Sequence, residues 1–226
     1  MDKFWEFRQD AKKQDTLELH IYSTVESDIF GRKSETSAKH FRDELAQHPN
    51  AKEIKVYINS LGGSVMEGIA IYNQLKRHSA HKTVYVDGFA CSIASVIAMA
   101  GDTVIMPKNA VMMIHNAWSY AIGNAAQLRK AADDLDVVNN ASRQAYLEKA
   151  GDKLTEEKLT ELLDAETYLS AGQCMELGLA DAYGEEDEPD DASQQKMLEN
   201  VVQQSIHEEM KRRREKCAAC IEKYFN

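Results

Sequence analysis

The sequence is poor in cysteine and carries more negative than positive charge. Four cysteines among 226 residues are too few and too irregularly spaced for a disulfide framework. The formal net charge of −10 argues against a general nucleic-acid binder, which needs a basic surface. No apolar run approaches the length that spans a bilayer, and the N-terminal residues do not resemble a signal peptide. These absences predict a cytoplasmic protein that binds neither nucleic acid nor membrane.

Two further absences limit the cofactors that the chain could use. It has no G-x-x-x-x-G-K-[ST] phosphate loop, so any ATPase would have to be a separate partner. Cys217 and Cys220 form a single C-x-x-C without a second pair or nearby histidines. That pattern favours two residues on one helix face over a metal or redox site. We therefore expect no metal ion and no cofactor.

The sequence does contain short apolar strands that alternate with helices. Apolar runs predict strands at 17–22, 54–58, 84–86, 103–106, 111–114 and 179–183, and apolar spacing predicts helices at 37–48, 64–78 and 92–100. Residues 124–149 contain neither proline nor glycine and predict one long helix, packed either on its own domain or on another subunit. Thr155 and Ser170 are the expected caps of two further short helices. This order predicts an α/β fold with a largely parallel sheet covered by helices.

The sequence changes in character after residue 183. An acidic segment that contains proline is followed by Gln194 to Phe225, where apolar residues recur every four positions before a basic run at 211–214. This pattern predicts a helical appendage with one apolar stripe. We therefore divide the chain into a domain at 1–183 and a C-terminal extension at 184–226.

One stretch, VYVDGFACSIASVIAMAG, points to chemistry. An apolar strand ends at Asp87-Gly88 and a helix begins near Ser92, which places a hydroxyl where the first amides of a helix are unpaired. His115 closes a later strand, VMMIH, and the glycine pair Gly62-Gly63 lies upstream in INSLGGS. Alone, Ser92 would be read as a helix N-cap and His115 as a histidine at a strand end. Together they supply a nucleophile, a base and backbone donors, the components of an acyl-transfer site.

Each component has an expected role and, for the nucleophile, rivals. His115 can accept the serine proton because an imidazole titrates near neutral pH. Gly63 has no Cβ, so its N–H can approach a substrate oxygen closely, and the N–H of Ile93 would be the second donor. Cys91 and Ser95 remain alternative nucleophiles, although Ser95 is expected to bond back within its helix.

Four segments carry a family resemblance: INSLGGSVMEGIAIYNQL, GFACSIASVIAMAG, MMIHNAW and AETYLSAGQCMELGLAD. In this order they resemble the signature segments of the Clp protease proteolytic subunit family, and most closely its phage-encoded branch, the Clp-related head maturation proteases. The resemblance covers residues 17–183. It implies a serine peptidase with the fold shared with crotonases, a spiral of strand–strand–helix repeats with a protruding handle helix at about 124–149. It assigns the nucleophile to Ser92, the base to His115, and substrate binding to the Gly62-Gly63 loop and Ile93.

The family's acidic residue falls on Glu166, with Asp164 as the alternative. Glutamate can orient a histidine as aspartate does, but its extra methylene requires a different placement. Two further positions depart from the family pattern: Leu61 stands where proline is usual, and Cys91 stands beside the nucleophile where alanine is common.

The resemblance also implies partners. The handle helix would join two heptameric rings into a tetradecamer, and residues 120–124 would form an edge strand that pairs with an extended peptide. The implied substrate is a capsid or scaffold protein, in the bacterial host cytoplasm or within a phage procapsid. Three alternatives stay open: a housekeeping degradative core fed by an AAA+ unfoldase, a crotonase-like acyl-CoA enzyme, and a structural shell with a vestigial site.

Overall fold

A computed structural model describes residues 5–9, 15–22, 24–25 and 37–184 of the chain. The strands within these ranges are β1 (Trp5–Gln9), β2 (Thr16–Tyr22), β3 (Glu53–Ser60), β4 (His81–Cys91), β5 (Thr103–Ile105), β6 (Val111–Ile114) and β7 (Thr167–Ser170). The helices are α1 (Ala38–Leu45), α2 (Val65–Arg77), α3 (Ile93–Ala98), α4 (Ala125–Ala150), α5 (Glu156–Asp164) and α6 (Ala171–Glu176), with a 3₁₀ turn at Gly151–Lys153.

The strands form one mixed sheet in the order β1-β2-β3-β4-β6-β7, with β5 beside β4. Strands β2, β3 and β4 are parallel neighbours, and β5 and β6 both run parallel to β4. The two outer pairs, β1 with β2 and β6 with β7, are antiparallel. The predicted α/β class is therefore confirmed, with antiparallel strands at both edges.

The alternation of apolar and polar residues along the strands explains how the sheet is covered. In β3, Ile54, Val56 and Ile58 are fully buried in the hydrophobic core. On the other face His20, Tyr57 and Tyr85 occupy neighbouring positions of β2, β3 and β4. Their rings stack at centroid distances of 4.8 and 5.1 Å. Burying one face of a pleated strand in this way determines its register, because a shift of one residue would expose the apolar set.

The long helix lies one residue from its predicted bounds. A capping box begins it, in which Asn124 Oδ1 accepts from the N–H groups of Ala126 and Gln127. Its first half is exposed, with Val137 69% accessible, whereas Tyr146 in its second half is 1% accessible. The second half therefore packs on its own domain.

Several predicted elements differ from the structure. Residues 120–124 are irregular in the described structure, and their expected pairing with an extended peptide stays a prediction. Residues 179–183 make only a single bridge, between Ile105 and Ala182. The strand at 84–86 extends to His81–Cys91, because polar residues at its start also pair with β3.

Two strands were missed. Strand β1 is short and charged, and it joins the sheet through Trp5, which packs edge-on against Phe41. Strand β7 pairs antiparallel with β6. The sequence did not reveal this strand, because the residues on both sides of it have a helical pattern.

Of the predicted extension at 184–226, residues 185–226, including Cys217 and Cys220, lie outside the described residues. Among the residues that the structure does describe, no helix is long and apolar enough to cross a membrane.

Candidate active site

Ser92 lies at a sharp turn between β4 and α3. Its backbone has φ 55° and ψ −129°, a conformation that residues with a Cβ rarely adopt. The N–H of Ser92 donates to the carbonyl of Met113 at 2.8 Å, which anchors the turn to β6. The Ser92 side chain makes no cap hydrogen bond to the helix. Its hydroxyl therefore does not act as a helix N-cap.

His115 meets Ser92 because of the strand order. Strands β4 and β6 are parallel neighbours with Cys91 opposite Met113, so both chains leave the sheet at the same edge. Ser92 follows β4 directly and His115 follows β6 directly. Their side chains contact each other, with 2.7 Å between Nε2 and Oγ. The imidazole is therefore placed to accept the hydroxyl proton.

The surroundings of His115 favour its neutral form. Burial lowers the pKa of the imidazole below its ordinary value, and the nearby negative charge of Glu166 partly opposes that effect. A lowered pKa leaves the ring neutral at pH 7. Only the neutral ring can act as a base toward Ser92.

The two candidate acids lie in different environments. Glu166 is exposed at the turn between α5 and β7, with φ 49°, and its charge acts on His115. Asp164 accepts a 2.6 Å hydrogen bond from Asn116 Nδ2. Within the described part of the chain, neither carboxylate accepts a hydrogen bond from His115. Glu166 is thus the carboxylate that influences the His115 imidazole, whereas Asp164 is hydrogen-bonded to Asn116, the residue after His115.

This difference predicts a pH effect that separates the two acids. Activity is lost as pH falls through the pKa of His115, so the acid limb of kcat/KM should lie below pH 6.5, the ordinary value for histidine. The charge of Glu166 raises that pKa. Glu166→Gln should therefore move the acid limb of the kcat/KM profile to still lower pH, and it should lower the maximal kcat/KM. Asp164→Asn, the matched control, should leave the limb in place. A limb that moves in Asp164→Asn and not in Glu166→Gln would assign the acid to Asp164.

The glycine pair lies beside the serine, and its two amides differ. The Gly62 N–H donates to Ser60 Oγ at 3.2 Å, so it is occupied. A bridge to Val25 uses the Gly62 carbonyl and the Ser64 N–H, at 2.8 Å each. Nothing among the described residues accepts from the N–H of Gly63. Of the two amides, that of Gly63 is the available donor.

The second candidate donor begins α3. The N–H of Ile93 is at the first helical position, where no intrahelical acceptor exists. Gly68 on α2 allows this close packing, since a Cβ there would lie 2.1 Å from the Ile93 side chain. The structure thus holds the start of α3 tightly against α2.

The rival nucleophiles are poorly placed. Cys91 is 1% accessible, and burial raises the pKa of its thiol to about 12, so it is not a thiolate at neutral pH. Ser95 is fully buried, and its hydroxyl bonds back to the Ser92 carbonyl.

Among the described residues, no group of three His, Cys, Asp or Glu side chains could hold a metal ion.

Sequence reasoning missed the residues of α4 that hold the loop after His115. The buried Asn139 side chain accepts from the N–H of Ala117 at 2.7 Å, and Arg143 donates to Asn116 Oδ1 at 3.3 Å. Asn116 thereby links Arg143 to Asp164. Polar residues on a long helix gave no local signal of these distant partners.

An α/β fold that joins a serine, a histidine and backbone amides at one sheet edge is the framework of a hydrolase. The chain belongs to the Clp protease family, whose model, described as Clp protease, matches residues 21–187. It is similar to an ATP-dependent Clp protease proteolytic subunit of Ligilactobacillus salivarius (strain UCC118), at 32% identity over 140 residues, 61% of this chain and 70% of that protein. A protein of the same name from Chlorella vulgaris is 29% identical over 133 residues, 58% of this chain and 65% of that one.

Proposed function

We propose that this protein is a serine endopeptidase, with Ser92 as nucleophile, His115 as base and Glu166 as the residue that stabilises the charged imidazole. The observation that carries the proposal is the 2.7 Å contact between Ser92 Oγ and His115 Nε2. Family membership and the lowered pKa of His115 support it. A serine hydroxyl becomes a competent nucleophile only with such an adjacent base.

The proposed reaction proceeds in two stages. Ser92 Oγ attacks the peptide carbonyl carbon while its proton passes to His115 Nε2, and the N–H groups of Gly63 and Ile93 stabilise the oxyanion. The C–N bond then breaks, and His115 returns the proton to the leaving amine. Water hydrolyses the resulting ester with His115 again as base, which regenerates the Ser92 hydroxyl.

The experiment that tests this proposal is covalent labelling of the full-length protein with a fluorophosphonate. We expect one modified residue, and peptide mapping should locate it at Ser92. Heat-denatured protein is the control and should not react. Labelling at Ser95 or Cys91 would contradict the assignment, and an assembled particle that does not react would indicate a shell with a vestigial site.

We also propose that the peptidase assembles as stacked rings of seven subunits, a number taken from the resemblance. We propose that it acts in phage head maturation on a capsid or scaffold protein. The exposed first half of α4, with Leu128 44% accessible, supports contact with another subunit. The phage role rests on the motif resemblance and on the charged C-terminal extension. The relatives, which are ATP-dependent Clp protease proteolytic subunits, instead support a degradative core that depends on a separate ATPase.

ATP dependence separates these two roles. For a maturation protease we expect an unfolded polypeptide to be cleaved without ATP, because that role needs no unfoldase partner. The measurement is digestion of an unfolded and a folded substrate, with and without ATP and a bacterial unfoldase. Digestion of the folded substrate only with both additions would favour the degradative core. Thioester hydrolysis that survives Ser92→Ala would favour a crotonase-like enzyme.

A further inference from the structure

A buried chain of hydroxyl groups joins α4 to the turn that carries Ser92. Ser95 Oγ lies 2.5 Å from the carbonyl oxygen of Ser92 and 2.6 Å from the hydroxyl of Tyr146. Ser95 is fully buried and Tyr146 is 1% accessible. Tyr146 is 51 positions from Ser95 in sequence, and only tertiary packing brings the two together.

The direction of the hydrogen bonds follows from the number of protons. The Ser95 hydroxyl has one hydrogen, and it donates to the Ser92 carbonyl. Ser95 Oγ must therefore accept from the Tyr146 O–H. Burial raises the pKa of Tyr146, so this phenol keeps its proton throughout the working range of the protein. Hydrogen bonds in such a chain strengthen one another.

The Ser92 carbonyl matters because of what shares its peptide unit. The peptide group is planar, so the carbonyl of Ser92 and the N–H of Ile93 point in fixed, opposite directions. Holding the carbonyl therefore aims the N–H. That carbonyl also accepts from the Ser95 N–H at 3.0 Å, which gives it two bonds from one residue.

We propose that Tyr146, acting through Ser95, is a positioning residue that aims the Ile93 N–H at the oxyanion formed during peptide hydrolysis. The inference rests on the proposed function of Ser92 as nucleophile. The backbone of Ser92 is strained at φ 55°, and strained conformations persist only where their surroundings hold them. Without the hydroxyl chain, the Ser92 carbonyl keeps only the 3.0 Å bond from the Ser95 N–H, and the peptide unit that carries the Ile93 N–H is aimed less tightly.

The test compares Tyr146→Phe, Ser95→Ala and the double variant in hydrolysis of a fluorogenic peptide that the wild-type protein cleaves. Tyr146→Phe removes a single oxygen atom. We expect kcat to fall about tenfold with KM within twofold, because a donor to the oxyanion acts in the transition state and not on bound substrate. Affinity for a peptide boronate, whose tetrahedral adduct carries an equivalent oxygen, should fall by a similar factor. The double variant should be no slower than Ser95→Ala, since Tyr146 acts through Ser95.

Tyr72→Phe is the matched control. The Tyr72 hydroxyl donates to Glu148 at 3.1 Å, so it also connects a helix to α4, but through a carboxylate and not through the Ser92 carbonyl. This variant should keep the kcat and boronate affinity of the wild type. Thermal unfolding of each variant would show that it is folded at the assay temperature, so that its rate can be compared with that of the folded wild-type protein.

The outcomes separate this inference from the proposed function. If Ser92→Ala is inactive while Tyr146→Phe and Ser95→Ala both keep wild-type kcat, the positioning role is overturned and the peptidase stands. A rise in KM at unchanged kcat would also overturn it. If Ser92→Ala still cleaves the peptide, the proposed function itself fails. Should Tyr146→Phe not fold, kcat and boronate affinity of Ser95→Ala decide the matter by the same criteria.

Discussion

Ser92→Ala is expected to lower kcat/KM for peptide hydrolysis by about 10⁴-fold or more, and to abolish fluorophosphonate labelling. The reason is that neither of the two rival nucleophiles can replace Oγ beside His115. Ser95 is committed to the Ser92 carbonyl, and Cys91 is a buried thiol with a raised pKa. The measurement is the initial rate of peptide cleavage by the assembled protein, together with labelling under the same conditions.

Two controls sharpen this result. Ser142→Ala removes a serine hydroxyl from α4 that donates to the Val138 carbonyl at 3.4 Å, and it should leave the rate unchanged. His115→Ala and the double variant Ser92→Ala/His115→Ala should be about as slow as Ser92→Ala alone, because the two residues act as one unit. Losses that multiply in the double variant would contradict the direct proton transfer between them.

Gly62→Ala is expected to lower kcat/KM by about 100-fold, with a smaller loss of stability of about 1–3 kcal/mol. The backbone at Gly62 has φ 94°, which disfavours any side chain. A Cβ there would also lie 2.6 Å from Ser92 Cβ and 2.8 Å from the Cys91 carbonyl oxygen. Either the glycine loop or the serine must move, and a displacement of about 1 Å is enough to misalign a nucleophile.

Gly172→Ala is the matched control for this variant. A Cβ at Gly172 would meet its nearest neighbour, the Tyr183 hydroxyl, at an ordinary 3.5 Å. It should therefore keep wild-type activity. Circular dichroism and urea unfolding measure the structural cost of each change separately from the rate. If folded Gly62→Ala cleaves peptide within threefold of the wild type, the tight packing of this loop on Ser92 is not required for catalysis.

Local patterns account for most of the elements that the sequence predicted well. The absence of glycine and proline from 124–149 marked α4 to within a residue at each end. Ser170 and Gln173 form the expected capping box, and the Thr155 side chain caps α5. Each of these features depends on residues within one or two helical turns, and such neighbours can be read directly from the chain.

Elements that depend on distant pairing were the ones predicted poorly. Strand β1 contains charged residues and reads as no strand, but Trp5 pairs opposite Ile21 of β2 and is buried by the fold. The segment 120–124, an edge strand by resemblance, is irregular here, and its expected partner is a substrate peptide and not this chain. A strand is defined by its neighbour, and the neighbour is not a local property.

The sequence by itself determined which residues are candidates for the chemistry: a serine after one strand, a histidine after another, and glycines in the loop beside them. Only the tertiary structure decided how those residues are supported. It showed that Glu166 acts on His115 while Asp164 is bonded to Asn116, and that Tyr146 reaches the Ser92 turn through Ser95. The physical reason is that a hydrogen bond requires atoms within about 3 Å, and residues far apart in the chain meet at that distance only after the sheet and α4 have packed.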